Sequence, residues 1–127
     1  MKRIYYHKLI RDKIPDRIRA AGADAKYRRM DQRAFIRELV RKVEEEASGM
    51  QQAKNRSELI DEIADVVDVL DEVRRVKKIS QKEIEIAQKR NFKRKGGFRK
   101  KLFLVWSSDD GYKTNEKRRD RRGKLKR

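Results

Sequence analysis

The sequence predicts an all-α protein, a small helical bundle followed by a short extended segment and a basic tail. Three observations favour this fold class. The 127-residue chain contains only one proline and six glycines, so sharp turns are few. Apolar residues recur at the helical period in two long segments, and residues that cap helices precede both. Hydrophobic residues make up only 36% of the chain, and a core this thin favours at least a dimer.

Each predicted helix begins at a proline or at a side chain that can accept hydrogen bonds from the first helical turn. The predicted helices are 16–21 after Pro15, about 31–51 capped by Asp31, about 57–76 capped by Ser57 or Asn55, and about 81–94 opened by a Ser80–Glu83 capping box. Glycines end the first and fourth of them, at Gly22 and at Gly96–Gly97. Residues 98–106 are predicted to form a short strand or a docking arm.

The charge is distributed unevenly along the chain. We divide the sequence into a helical domain, residues 1–106, and a basic tail, residues 107–127, which we expect to be disordered in isolation. The formal net charge is +17, and residues 88–101 contain eight basic residues and no acidic one. Such a region indicates an anionic partner, such as nucleic acid. It lacks the aromatic interleaving of an RNA-recognition motif and any zinc-finger spacing, so the sequence predicts only non-specific phosphate binding.

Composition excludes several classes of protein. Cysteine is absent, which excludes disulfides, iron–sulfur clusters and thiol nucleophiles. The single histidine, His7, is too little for a His-rich metal site, and we expect it to lie at the surface. No stretch approaches the roughly 20 apolar residues of a membrane-spanning helix, and the charged first residues do not resemble a signal peptide. We therefore expect a cytoplasmic protein with no membrane partner, in which Asp and Glu bind any metal.

Two carboxylates project into the apolar faces of the second and third predicted helices. At about 100° per residue, Glu46 lies between Phe35 and Leu39. On the next helix Glu62 also lies inside the apolar arc, and Asp65 lies at the edge of it. Burying an unpaired carboxylate is costly, so two acids that face one core need compensation. A divalent cation such as Mg²⁺ could neutralise both, and the alternative is that each pairs with an arginine or lysine from another helix.

Four segments resemble a known family when they are taken in order: Lys8-Leu-Ile-Arg-Asp-Lys-Ile-Pro15, Lys42-Val-Glu-Glu-Glu46, Glu62-Ile-Ala-Asp65-Val-Val-Asp-Val-Leu70 and Lys95-Gly-Gly-Phe98. Over residues 5–105 the chain resembles the all-α nucleoside triphosphate pyrophosphohydrolases of the MazG and phosphoribosyl-ATP pyrophosphohydrolase type. The E-x-x-D piece alone is unspecific, because any acidic helix can supply it. The four segments in this order are together fairly specific.

The resemblance implies a MazG-like helical bundle, often assembled as a dimer or tetramer, that binds Mg²⁺ through an E-E-x-x-E helix and an E-x-x-D helix. Such enzymes hydrolyse the α–β phosphoanhydride of a nucleoside triphosphate, or of a phosphoribosyl-ATP-like nucleotide, to the monophosphate and pyrophosphate. Carried onto this chain, the metal ligands are Glu46, Glu62 and Asp65. Glu45 then orients or deprotonates the attacking water, or holds a second metal ion.

Basic and aromatic residues are candidates for contacts to the nucleotide. The five candidates for phosphate contacts are Lys8, Arg11, Lys13, Arg90 and Lys93. The Lys95–Phe98 segment suits a tight turn whose backbone amides face an anion, or a simple helix stop. Phe92 and Phe98 either stack on a base or pack in the core, with core packing the favoured role. The remaining large aromatic residues are expected to be packing residues: Tyr5, Tyr6 and Trp106.

The chain departs from the family pattern at one position. The third acid of E-E-x-x-E would fall on Gly49, which we also expect to mark the end of its helix as a C-terminal cap. Glu44 projects away from the apolar arc and cannot substitute. Three alternatives therefore stay open: an active hydrolase with weaker or fewer metal ions, a catalytically impaired nucleotide-binding homologue, or a polyanion-binding protein that acts through its basic C-terminal region.

Overall fold

The computed structural model describes residues 2–108 and 115–125. Its four α-helices are α1 (Ile14–Ala20), α2 (Gln32–Gln52), α3 (Arg56–Lys77) and α4 (Gln81–Lys95). Within the described ranges the chain forms no β-strand, and Arg119 and Leu125 form an isolated antiparallel bridge. The predicted all-α class is thus confirmed; of the two alternatives for residues 98–106, the short strand does not form, and the docking arm stays a prediction. Part of the predicted basic tail, 109–114 and 126–127, lies outside the described residues.

The chain divides into two compact units, Met1–Arg90 and Asn91–Arg127. The first unit contains α1, α2, α3 and most of α4, and the second begins within the last turns of α4. None of the helices in the described residues has both the length and the apolar character that crossing a membrane requires.

Side-chain caps fix where α2 and α3 begin. The Asp31 carboxylate accepts a hydrogen bond from the Ala34 backbone N–H at 2.8 Å, and the Asn55 side chain accepts one from Glu58 N–H at 2.9 Å. These bonds satisfy N–H groups that have no partner within the helix itself. Of the two caps predicted for α3, Asn55 is therefore the one the chain uses.

The predicted capping box opens α4. The Glu83 backbone N–H donates to Ser80 Oγ at 3.1 Å, and the Ser80 N–H donates to Glu83 Oε2 at 2.7 Å. Hydrogen bonds from the Ser80 backbone and side chain lower the pKa of the Glu83 carboxyl. At the other end of α4, Gly96 has φ +79° and accepts the left-handed conformation that ends the helix.

The core of the first unit lies between α2 and α3, which are joined by residues 53–55 and pack against each other. Leu39 on α2 is only 3% exposed, and in the described parts of the chain only Leu39 and Pro15 are buried. A core this small agrees with the apolar content of the sequence.

An apolar stripe on α3 stays exposed. Its residues follow the spacing of one helix face, and they are Leu59, Ile60, Ile63, Val67 and Leu70. The aromatic residues predicted to pack are also exposed: Tyr5, Tyr6, Phe92, Phe98 and Trp106. Their predicted packing role is wrong for the single chain, because helical periodicity identifies an apolar face without supplying the neighbour that would cover it.

Gly49 lies inside α2 rather than at its end, so the predicted role as a C-terminal cap is wrong. The helix continues through Gln52, and Ala53 follows it with an extended backbone. Neighbouring contacts with α3 keep this last turn helical in spite of the low helix propensity of glycine.

Candidate metal centre

Three carboxylates from two helices meet beside the α2–α3 core. Glu46 lies in the C-terminal half of α2, while Glu62 and Asp65 are three residues apart and share one face of α3. One carboxylate oxygen from each of the three residues lies within 4.8 Å of the other two. All three side chains are half-buried. These residues could hold a metal ion, because oxygen ligands at such separations can converge on one cation.

Glu62 lies beside the two other acids of the cluster, Glu46 and Asp65. Partial burial raises the pKa of its carboxyl, and the neighbouring charges of Glu46 and Asp65 raise this pKa further. Hydrogen bonding to Glu46 acts in the same direction. No lysine or arginine in the described ranges forms an ion pair with Glu62. The cluster therefore holds a carboxylate that lacks a cationic partner.

Lys42 and Arg11 neutralise the other two acids in part. Lys42 Nζ lies 3.6 Å from Glu46 Oε1, and the lysine is on the same helix one turn earlier. The Arg11 guanidinium lies 2.8 Å from Asp65 Oδ1 and 2.9 Å from Asp68 Oδ2. Hydrogen bonding to Asp68 raises the pKa of Arg11.

The sequence also left open that both inward acids pair with cations from other helices. The described residues show a different arrangement. Glu46 has a partner on its own helix, and Glu62 has none among them. Arg11, which precedes α1 in the same chain, pairs with Asp65 instead.

Gly49 faces this cluster. An ideal Cβ built on Gly49 would lie 2.7 Å from Glu62 Cδ and closer still to Glu62 Oε2, a separation that real Cβ atoms essentially never show. The Glu62 carboxylate thus occupies the space that a side chain at position 49 would need. Glycine at this position therefore sets where Glu62 can lie.

The remaining candidates lie outside the three-acid cluster. Glu45 Oε2 accepts a hydrogen bond from Lys42 Nζ at 3.1 Å. Lys8 Nζ lies 5.3 Å from the centroid of the Tyr6 ring, a cation–π contact. None of the other phosphate-contact candidates forms an ion pair within the described chain: Lys8, Lys13, Arg90 and Lys93.

A cavity of about 440 Å³ adjoins the cluster and shares Glu46 with it. Phe35 and Leu39 contribute apolar surface to its lining. The cationic side chains that line it are Arg11, Lys42 and Arg75. Acidic side chains line it in larger number, namely Asp12, Glu46, Asp68, Asp71 and Glu72, and the three cations pair with acids, so the cavity has no excess of positive charge.

Sequence reasoning missed two residues that shape this centre. The i, i+4 spacing of Lys42 and Glu46 could have identified Lys42, because this spacing brings side chains together on a helix. Asp68, which shares Arg11 with Asp65, had no comparable signal, because its partner lies 57 residues away.

Compared with known proteins, the chain matches no protein-family model, no curated protein sequence and no solved structure. The arrangement of its own side chains is therefore the basis for any functional proposal.

Proposed function

We propose that this protein is a Mg²⁺-dependent nucleotide pyrophosphohydrolase. It would cleave a nucleoside triphosphate, or a phosphoribosyl-ATP-like nucleotide, to the monophosphate and pyrophosphate. The observation that carries the proposal is the convergence of Glu46, Glu62 and Asp65, with no described cation paired to Glu62. Three carboxylates form an all-oxygen donor set, which suits a hard divalent cation such as Mg²⁺.

The proposed roles follow from where each side chain lies. Glu46, Glu62 and Asp65 hold the ion, which when bound lowers the pKa of water and stabilises charge on the phosphates. Glu45 takes its role from the resemblance instead: it would orient or deprotonate the attacking water, or hold a second metal ion, and it lies outside the three-acid cluster with Lys42 as its partner. Arg11, Lys42 and Arg75 line the adjoining cavity and would contact the polyphosphate by exchanging their present acidic partners for phosphate oxygens. The phosphate contacts of Lys8, Lys13, Arg90 and Lys93 stay predictions from the sequence.

We also propose membership of the MazG-like pyrophosphohydrolases and assembly as a homodimer or tetramer. Four motif segments in family order support the first proposal, together with an all-helical fold that brings two of those segments to one cluster. The exposed apolar stripe on α3 supports the second, because a second copy would cover surface that a single chain leaves in water.

The test is pyrophosphate release from a panel of nucleoside triphosphates with Mg²⁺. We expect pyrophosphate rather than orthophosphate, and we expect Glu62→Gln to lower turnover by on the order of 100-fold or more. Glu85→Gln is the matched control, since Glu85 is an exposed glutamate on α4 and lies outside the cluster. A folded protein that releases no pyrophosphate from any nucleotide would contradict the proposal, as would undiminished turnover in Glu62→Gln.

Gly49 favours a second candidate function, a homologue that binds nucleotide without cleaving it. The cluster contains three acids where the family pattern implies a fourth, so the ion could be held too weakly to support chemistry. Nucleotide binding measured by calorimetry, without pyrophosphate release, would distinguish this function from the first.

A further inference from the structure

In the second unit, the last turn of α4 and the residues after it are basic and aromatic; we call residues 92–102 the aromatic–basic turn. The Gly96 N–H donates to the Phe92 carbonyl at 2.8 Å and ends the helix, and the Lys101 N–H donates to the Phe98 carbonyl at 3.1 Å. A Cβ added at Gly97 would lie 3.2 Å from the Phe92 ring, so glycine here lets the ring approach the backbone closely. The two glycines thus shape a turn with an aromatic residue on each side.

This turn surrounds a cavity of about 800 Å³. Its lining consists of Phe92, Lys95, Gly96, Gly97, Phe98, Arg99, Lys100, Lys101 and Leu102. Phe92 is 69% exposed and Phe98 is 96% exposed, so both rings are open to solvent. A large aromatic ring in water is unfavourable, and here two of them border the same concave space.

The charge of the turn is of one sign. Residues 92–102 contain six basic residues and no acidic one: Lys93, Arg94, Lys95, Arg99, Lys100 and Lys101. None of the six forms an ion pair with any acid in the described part of the chain. Cations this close together repel one another, and a chain of phosphates would relieve that repulsion.

We propose that the aromatic–basic turn binds single-stranded nucleic acid. The basic side chains contact phosphates, and unpaired bases stack on Phe98 and Phe92. Exposed rings beside a basic groove are the elements that hold single strands, since every base has a flat face available for stacking. A duplex is a poorer ligand, because its bases are already stacked on one another.

An anionic membrane surface is the competing partner for a basic and apolar segment. The concave space between the two rings favours a flat base as the ligand, because a base can enter it. Residues 101–107 also lack regular secondary structure, so their backbone polar groups would enter the bilayer without partners.

The experiment measures fluorescence anisotropy of a labelled 12-nucleotide single strand with the full chain. We expect the single strand to bind more tightly than the matching duplex. With about four phosphates contacted, the affinity should fall about 50-fold between 50 and 200 mM salt. The Lys100→Gln/Lys101→Gln double variant should flatten that salt dependence. The matched control is Lys77→Gln/Lys82→Gln, which removes the same amount of charge outside the turn. This protein should bind the single strand more tightly than Lys100→Gln/Lys101→Gln does.

Substitutions of Phe98 separate stacking from other roles of an apolar side chain. Phe98→Ala should weaken binding on the order of 10-fold, Phe98→Leu should weaken it similarly, and Phe98→Tyr should preserve it, because stacking needs a flat ring. The matched control is Phe103→Ala, an exposed phenylalanine outside the cavity lining. It should retain the affinity of the unaltered chain.

Three results would overturn the proposal. The first is unchanged affinity in Phe98→Ala, and the second is equal affinity for duplex and single strand. The third is binding to phosphatidylserine vesicles without binding to the single strand, which would assign the turn to a membrane. The proposal stands apart from hydrolysis, so Glu62→Gln should bind the single strand normally.

Discussion

Two regions of this chain concentrate charge of opposite sign, and they differ in burial and in ion pairing. The acidic cluster of Glu46, Glu62 and Asp65 lies half-buried between two packed helices, with Lys42 and Arg11 close by. The aromatic–basic turn holds six cations that are all exposed and have no acid paired to them in the described residues. The first region is therefore suited to one compact cation, and the second to an extended polyanion.

The comparison shows why net charge is a weak guide to function here. A net charge of +17 suggests phosphate binding throughout the chain, yet Glu46, Glu62 and Asp65 form an acidic cluster between its two packed helices. Placement decides the chemistry, because half-burial strengthens each interaction in the cluster while solvent screens the charges of the turn.

The largest expected effect is a loss of Mg²⁺ binding that leaves single-strand binding unchanged. Asp65→Asn combined with Glu46→Gln should abolish Mg²⁺ binding, because only one carboxylate of the cluster is left. Single-strand binding should not change, since the aromatic–basic turn contains neither residue. Calorimetry with Mg²⁺ and anisotropy with the oligonucleotide are run on the same preparation. If the double variant lost both activities while staying folded, the two regions could not be treated as separate sites.

Position 49 gives the next largest effect, and its two consequences have opposite signs. Gly49→Ala should raise the free energy of unfolding by about 0.5–1 kcal/mol, because alanine favours the helix. The new Cβ also displaces the Glu62 carboxylate, so Mg²⁺ affinity should fall. Urea unfolding in EDTA and Mg²⁺ titration measure the two effects separately. An unaltered Mg²⁺ affinity would show that the position of Glu62 does not matter for binding the ion.

Gly49→Glu places a charged carboxylate, rather than a methyl group, next to Glu62. The fourth carboxylate should destabilise the metal-free protein relative to Gly49→Ala, because it joins three acids of like charge. It should also raise Mg²⁺ affinity above that of Gly49→Ala, since it restores the ligand that the family pattern implies. The same unfolding and titration measurements apply to this variant. A Gly49→Glu protein with the weak Mg²⁺ binding of Gly49→Ala would mean that the added side chain points away from the ion.

A smaller effect is the dependence on pH that arises from Glu62. Its pKa is raised in the folded chain, so the folded state holds the proton more tightly than the unfolded state does. This contribution to stability is present below the ordinary pKa and is lost as the pH rises through the raised one. The unfolding free energy of the metal-free protein, minus that of Glu62→Gln, should therefore fall between acidic and neutral pH. A flat difference would show that Glu62 ionises as an ordinary glutamate.

Helix positions and the inward acids could be predicted from the sequence, because both depend on local rules. Asp31, Asn55 and Ser80 satisfy N–H groups within their own first turns, and these bonds need no tertiary contact. Projection of α2 and α3 likewise identified Glu46 and Glu62, since two amphipathic helices joined by a short turn bury their apolar faces together.

Other features depend on packing that a local pattern cannot specify. The contact of Arg11 with Asp65 joins residues 54 positions apart, and many of the 38 lysines and arginines could equally have been its source. Gly49 remains helical because the surrounding turn packs on α3, although its own propensity favours a helix end. The exposure of Phe92 and Phe98 depends on which neighbours are absent, and periodicity carries no information about that.

The smallest expected effect concerns Arg11, the cation that pairs with Asp65 of the acidic cluster. Its ion pairs with Asp65 and Asp68 are exposed and screened, so Arg11→Gln should lower the unfolding free energy by less than about 1 kcal/mol. Removing it frees Asp65 and should tighten Mg²⁺ binding in the absence of nucleotide, while the KM for nucleotide rises if the guanidinium also contacts phosphate. Arg41→Gln, which removes the exposed arginine of an i, i+3 pair with Glu38 on α2, is the control. Identical Mg²⁺ affinities in the two variants would show that Arg11 does not compete with the ion for Asp65.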